Sequence, residues 1–498
     1  MSAPIVEIVS GRLSGRARDG VTLFAGIPYA EAPVGDRRFA APHPHPGWTG
    51  VREATSFGKV APQGVGATEA MAGGGPPDWS EDCLFLNVQT PACDAGRRPV
   101  LVWIHGGGFT SGAGSIPWYD GSAFCRNGDV VVVTINYRLG AFGFLHLAGA
   151  DANPGLADQV AALAWVRDNI AAFGGDPGNV TVFGESAGGM SVATLLAVPS
   201  ARALFHKAVP QSGAAHHTQD PDRAAEVTER IESRLGVCGV AGLRSVSAEA
   251  LLEAQLAAAV EVAQARAASN DDTGLALPFC PVVDGAFLPE APLDAIRAGR
   301  SAPVPLLTGT NRDEWNLFAL MGRSPADEAA LLRRLGRLVE DPHELMAIYR
   351  ESADTADHDA IWSAVMTDRA FRIPAVRLVE AHARHRPDAT WLYQFDWASS
   401  AFGGRLGSCH ALEIPFVFHT LDRKGVALFT GDGPPAALAD AMHQAWIAFA
   451  RSGNPQHDGI PAWAPYDEID RTTLHLDLEC RITNDPSSRR RAIWAGRL

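Results

Sequence analysis

NVTVFGESAGGMSVATLLAV, residues 179–198, is the stretch whose reading decides the fold. Asn179 to Phe183 is a short run rich in β-branched residues, Gly184 and Gly188 bracket Ser186 in a G-x-S-x-G pattern, and Met190 to Val198 has the composition of a helix. A strand that feeds a tight glycine-flanked turn and then a helix lifts the turn residue clear of the sheet's carboxyl edge. Chance alone would supply about a quarter of such a match in a chain this rich in glycine, so the pattern gains meaning only from its surroundings.

Those surroundings alternate strands with helices. PVLVWI (99–104) and DVVVVTINY (129–137) read as buried strands, each ending in a glycine-bearing loop. PGLADQVAALAWVRDNIAAFGG (154–175) puts Leu156, Val160, Leu163 and Ile170 on one helical face, and Gly174 and Gly175 end it. Helical composition returns at 222–270, with Ser247 as a cap, and again at 326–385; PVPLLTGTNRDEW (303–315) is strand then loop, and WLYQFDW (391–397) is a last strand. With no repeats and no long linker, the chain reads as a single α/β domain, residues 1–498. Its large, mostly parallel central sheet is flanked by helices, and helical insertions around 222–300 and 320–385 cap one end.

Composition narrows the function. A 498-residue chain with a net charge of −14 is a poor partner for nucleic acid or for an anionic membrane surface. The longest apolar runs fall far short of a membrane span, and MSAPIVEIVSGRLSG has neither the basic nor the apolar part of a secretory signal. Seven scattered cysteines (83, 93, 125, 238, 280, 409, 480) without C-x-x-C spacing suit neither a disulfide framework nor a zinc site, and they predict a cytoplasmic setting.

A serine hydroxyl is a weak nucleophile at neutral pH. It needs a histidine to take its proton and an acid to fix that histidine's tautomer. In an elbow-based hydrolase these partners follow in the order Ser, Asp or Glu, His, each on a loop after a strand. The acid is therefore sought in GTNRDEW, as Glu314 or its neighbour Asp313, and the histidine in GSCHALEIPF, as His410. HGGGF (105–109) supplies small residues whose N–H groups can approach a developing oxyanion, with the N–H of Ala187 completing the hole. A phosphate cradle would follow its glycines with Lys and Ser or Thr, but here Phe109 follows.

These segments together resemble the type-B carboxylesterases, the family that includes the cholinesterases and the bacterial p-nitrobenzyl esterases. The resemblance is carried in order by FAGIPYAEAPVGDRRF (24–39), SEDCLFLNV (80–88), HGGGF, INYRLGAFGF (135–144), PGLADQ (154–159), FGGDPGNVTVFGESAGG (173–189), the GTNRDE loop, HALEIPFVF (410–418) and AWIAFARSGNP with PAWAPYD (445–467). It implies the α/β-hydrolase fold and a serine hydrolase that cleaves small-molecule carboxylic esters through an acyl-enzyme, with no metal or organic cofactor. The roles it implies are Ser186 as nucleophile, His410 as base and then acid, Glu314 rather than Asp313 as orienting acid, and an oxyanion hole at Gly107, Gly108 and Ala187. A structural ion pair between Arg38 and Glu81 is also implied. Phe109, His216, Leu317 and Phe318 are candidate pocket residues, with Glu185 a buried support.

Departures from the family pattern are informative. Many members close a disulfide onto the cysteine of SEDCL, but Ala61 in VAPQ occupies the upstream position, so Cys83 is expected to be a free buried thiol. Segment 64–79, whose one tryptophan is Trp79 at its very end, is expected to lack the one that cholinesterases offer to a quaternary ammonium, and Leu317 stands where an aromatic would serve choline, so choline esters are not expected as substrates. An amidase, carbamate hydrolase or detoxifying esterase could run on the same triad. A non-catalytic binding module of cholinesterase type would instead have lost the serine and kept its disulfides. A histidine base predicts that activity falls as pH drops through roughly 6 to 7.

Overall fold

The computed structural model describes residues 3–66, 77–268, 275, 277–322, 325–353 and 357–497. The N-terminal strands are β1 (Ile5–Ile8), β2 (Gly11–Ser14), β3 (Arg16–Arg18), β4 (Val21–Pro28) and β5 (Val51–Glu53). Then come β6 (Phe85–Thr90), β7 (Arg98–Ile104), β8 (Val131–Ile135), β9 (Gly175–Glu185) and β10 (Lys207–Gln211). The last four are β11 (Leu306–Asn311), β12 (Thr390–Phe395), β13 (Thr472–Leu476) and β14 (Arg481–Asn484). A small sheet joins β1, β2 and β5, and the remaining strands form one sheet in the order β14-β13-β12-β11-β10-β9-β7-β8-β6-β4-β3. Pairing is parallel from β13 through β8 and antiparallel at both margins. The expected mostly parallel α/β sheet is present.

Alternation along the central strands builds two cores. Val100, Val102 and Ile104 of β7 point to one face with Val131, Val133, Val180 and Val182. Leu101 and Trp103 point to the other with Val132, Phe183, Val209 and Leu307. The first face is covered by the helix Pro154–Asn169, and the second by the helices Ser122–Gly128 and Ala436–Ser452. Strands buried on both faces lose their alternation and read as unbroken apolar runs.

Strand order reverses at β7. The chain steps from β7 to β8 on one side, then returns so that β9 pairs with the opposite edge of β7, Ile104 beside Gly184. The loops leaving the carboxyl ends of these neighbours diverge and open a crevice at the switch point of the sheet. HGGGF leaves β7 and Ser186 leaves β9, so topology alone brings these two motifs together.

The stretch 222–300 is helical in part. Helices occupy Pro221–Leu235, Gly239–Ser245 and Ala248–Ala268, the last capped by Ser247, whose Oγ accepts the Ala250 N–H at 3.2 Å. Residues 277–291 are irregular instead, because Pro278, Pro281 and Pro289 deny helix. The Asn153 side chain fixes that run, donating to Val282 O (2.9 Å) and accepting from Val282 N (2.7 Å). The described residues of segment 326–385 form the helices Glu328–Leu335, Pro342–Ala353, His358–Thr367 and Ile373–Ala383, around a satellite core that also takes in Trp494. WLYQFDW is not the last strand, since β13 and β14 extend the sheet beyond it.

No disulfide joins any of the seven cysteines, and Cys83 is a buried thiol. Arg38 meets Glu81 through two hydrogen bonds, at 2.6 and 2.7 Å, with its side chain buried. A deeper pair joins two motifs: Arg138 of INYRLG contacts both carboxylate oxygens of Asp158 in PGLADQ, at 2.7 and 2.8 Å. Segment 64–79 is not without a tryptophan, since Trp79 stands at its end and bridges to Val60; residues 67–76 of it lie outside the described residues. No described helix is long and apolar enough to cross a membrane.

Candidate active site

Ser186 sits between the end of β9 and the helix Ala187–Leu195, at φ 57° and ψ −124°. That is backbone which a side chain adopts only under constraint, at a cost of order 1–3 kcal/mol. The constraint is visible: Ser186 N donates to Gln211 O of β10 (2.9 Å), and Ser186 O accepts from Met190 N (2.8 Å). The flanking glycines are required by contact. A Cβ on Gly184 would come within 2.5 Å of Ile104 O, one on Gly188 within 2.0 Å of the same oxygen, and one on Gly189 within 2.4 Å of Gln211 O. The G-x-S-x-G spacing is thus the imprint of a turn pressed between β7 and β10.

His410 lies on the loop after β12, and its Nδ1 is 2.6 Å from Glu314 Oε2. The other oxygen of Glu314 accepts the Asn311 N–H at 2.7 Å, so both carboxylate oxygens are committed. Asp313 does something else: its Oδ2 accepts the Ser408 N–H at 2.9 Å and pairs with Arg312 at 3.0 Å. Of the two acids that the GTNRDEW loop offers, the one against the imidazole is Glu314. Phe318 and Phe371 flank the ring, with centroids 5.2 and 4.8 Å from it, and limit its rotation.

On its far side, His410 Nε2 is 3.1 Å from Glu185 Oε1, but the approach is too oblique for a hydrogen bond. Burial opposes the imidazolium, yet Glu185, Glu314 and Glu413 outweigh it and raise His410 to about 9. Burial likewise pushes Glu185 well above the carboxylate range, with His410 drawing it back and Glu413 and Glu314 adding to the rise. A Glu185 that keeps its proton lifts His410 less. The direction for the histidine is still upward, because Glu314 stays fixed against Nδ1.

Behind this pair lies a polar chain. Glu413 Oε2 accepts from Asn311 Nδ2 (2.7 Å), its Oε1 from Gln211 Nε2 (3.1 Å), and Gln211 Oε1 from Trp446 Nε1 (3.1 Å). Burial, and then the nearby Glu314, raise Glu413 to about 7.

The HGGGF loop packs directly on the serine: a Cβ on Gly106 would lie 3.1 Å from Ser186 Cβ. Among the described residues, the N–H groups of Gly107, Gly108 and Ala187 have no protein acceptor. Burial lowers His105 to about 4, and it stacks on Tyr137 with Nδ1 2.8 Å from Gly106 O. Ser186, His410 and Gly106 to Gly108 share a cavity of about 590 Å³. Its other walls are mainly apolar, including Ile116, Trp118, Met190, Leu256, Leu275, Leu277, Leu317, Phe318 and Ile414.

Two candidate pocket residues are elsewhere. Phe109 is fully buried against Phe144, and His216 is not on the cavity wall; burial first, then His217 and the arginines 377 and 297, push His216 down to about 3. Leu317 and Phe318 do line it. Sequence reasoning missed Glu413, Asn311, Phe371 and the three leucines 256, 275 and 277. Only Glu413 carried a signal, three residues after His410 in HALE. Among the described residues, no group of three or more His, Cys, Asp or Glu is arranged to hold a metal ion.

The pattern of the carboxylesterase family matches residues 2–494. Para-nitrobenzyl esterase of Bacillus subtilis (strain 168) is 42% identical, over 99% of this chain and 98% of its own length. Phenmedipham hydrolase of Pseudarthrobacter oxydans is 39% identical, over 95% of each. Among solved structures, the Geobacillus stearothermophilus carboxylesterase EST55 superposes with a TM-score of 0.84 at 42% identity, covering 98% of this chain and 99% of that one.

Proposed function

The chain belongs to the carboxylesterase family and is a carboxylic ester hydrolase, and from that premise we propose that Ser186, His410 and Glu314 are its catalytic triad. The observation that carries the assignment is the 2.6 Å contact of Glu314 with His410 Nδ1, in a cavity that His410 shares with a serine on a strained turn.

The chemistry follows from the geometry. Glu314 holds the proton on Nδ1, which leaves the Nε2 lone pair to take the serine proton as Oγ attacks the ester carbonyl. The carbonyl electrons move onto oxygen, and the N–H groups of Gly107, Gly108 and Ala187 receive the oxyanion; Ala187 also begins a helix, whose positive end favours that charge. As the tetrahedral centre collapses, the C–O bond to the alcohol breaks and the imidazolium returns its proton to the leaving oxygen. Water then repeats the sequence on the acyl-enzyme, releasing the acid and restoring Ser186.

The whole chain acts as one catalytic domain in this reading, and seven cysteines without a disulfide among them support a cytoplasmic setting. Leucine-rich walls and a volume of about 590 Å³ favour neutral esters with apolar acyl or alcohol groups. A series of p-nitrophenyl esters of rising acyl length, run beside matched anilides, tests this. Esters should turn over faster than anilides, with kcat/KM rising from acetate to hexanoate; faster anilides would replace the ester reading by an amidase.

A further inference from the structure

The oxyanion loop is held in an improbable shape. Gly107, Gly108, Phe109 and Gly112 have φ of 107°, 62°, 60° and 108°. A segment with four left-handed residues in six cannot use the hydrogen bonds of helix or strand, so its shape must come from other contacts. The first is local. Four donors converge on the carbonyl of Gly107: the N–H of Thr110 (3.1 Å) and of Ser111 (3.0 Å), and the hydroxyls of the same residues at 3.3 and 3.2 Å. The peptide is planar and trans, so a carbonyl held on one side aims the N–H of Gly108 to the opposite side.

Segment 110–112, which supplies those donors, is tied down from a distant part of the chain. Gln63 Oε1 accepts the Gly112 N–H at 2.7 Å, and Gln63 Nε2 donates to Gly112 O at 2.9 Å and to Ala61 O at 3.1 Å. The amide is buried and clasps both backbone groups of Gly112, which have no other partner among the described residues. Gly112 has no room to shift toward the sheet, where a Cβ would meet His105 Nδ1 at 2.4 Å and Gly106 O at 2.5 Å. Nor does a disulfide anchor this region: Cys83 is free and Ala61 is packed in the same core.

We propose that Gln63 is a positioning residue for catalysis. It fixes Gly112, which fixes the Thr110–Ser111 donors on Gly107 O, which aim the Gly108 N–H at the oxyanion. A misaimed donor weakens only the transition state, because a ground-state carbonyl draws little on it. The inference rests on the oxyanion-hole assignment above.

The test uses Gln63→Met, which keeps length and loses every hydrogen bond, and Gln63→Glu, which loses the donors to Gly112 O and Ala61 O. For each, kcat and KM on p-nitrophenyl butyrate are measured, along with inhibition by a trifluoromethyl ketone, whose serine adduct places an oxyanion in the hole. The related methyl ketone, which adds poorly, reports ground-state binding. Expected is a kcat loss of about 10- to 100-fold, part of the full effect of deleting one donor, with KM within about twofold. Trifluoromethyl ketone affinity should fall by the same factor and methyl ketone affinity should hold. A folded variant with wild-type kcat and ketone affinity would overturn the proposal, as would kcat and KM changing together while trifluoromethyl ketone affinity holds. If Gln63→Met does not fold, Gln63→Glu is judged by the same comparison. Should the wild-type enzyme itself fail to prefer the trifluoromethyl ketone, the oxyanion-hole assignment fails instead.

Discussion

Exchanging Glu314 for glutamine should lower kcat by about 10²- to 10⁴-fold while leaving the fold intact, and the size follows from two contacts. Glu314 accepts on both sides, from Asn311 N–H at 2.7 Å and from His410 Nδ1 at 2.6 Å. A glutamine has one oxygen to offer. If that oxygen stays with Asn311, the NH₂ faces Nδ1 and forces the histidine proton onto Nε2, which can then no longer accept from serine. If the amide turns over, two buried donors face each other at Asn311, a mismatch worth about 1–3 kcal/mol. The charge-assisted bond that would steady the imidazolium is lost either way, for about 1.5–3 kcal/mol. The two losses sum to roughly 2.5–6 kcal/mol, which at 1.36 kcal/mol per decade is about two to four decades, the quoted range.

Asp313→Asn provides the control. Its oxygen can still accept from Ser408, and the half-exposed pair with Arg312 is worth about 0–1 kcal/mol, so turnover should fall no more than about fivefold. Initial rates on p-nitrophenyl butyrate, with thermal melts to confirm folding, decide between them. A larger loss in Asp313→Asn, or more than a tenth of wild-type kcat surviving in Glu314→Gln, would refute the assignment of the acid.

The pH profile should depart from the expectation for a free histidine. Carboxylates raise His410, so the base form is lost as pH falls through a value above 6.5 and up to about 9; an acid limb of kcat/KM below pH 6 would contradict this. Asp158→Asn should lower unfolding free energy by about 3–5 kcal/mol in a denaturant melt, because the buried Arg138 guanidinium loses its counter-charge. A loss under 1 kcal/mol would show that water reaches the pair.

What the sequence could disclose depended on how locally each feature is enforced. The elbow was legible because the spacing of its glycines around Ser186 is local, although the contacts that require them, with Ile104 O and Gln211 O, are not; β7 and β8 were legible because burial on both faces leaves unbroken apolar runs. Strand β10, KAVPQ, was not, since Pro210 argues against a central strand. The polar strands β13 and β14 likewise lack the apolar signature of a sheet core. In the site, chain order identified Ser186 and His410, while separating Glu314 from Asp313 required the resemblance and then the contact distances. Residues acting across long separations carry no local mark: Gln63 reaches Gly112 across 49 positions, and the Gln211–Glu413 bond spans 202. Phe109 and His216 were misplaced for the converse reason, since neighbours of a motif in the chain need not face its cavity.

The central claim is that Ser186 is the nucleophile. Treating folded enzyme with a fluorophosphonate and mapping the adduct by peptide mass spectrometry tests it most directly. One equivalent should attach at Ser186 with complete loss of esterase activity, and Ser186→Ala should take up none. Labelling at another residue, or full activity in the Ser186→Ala protein, would contradict it.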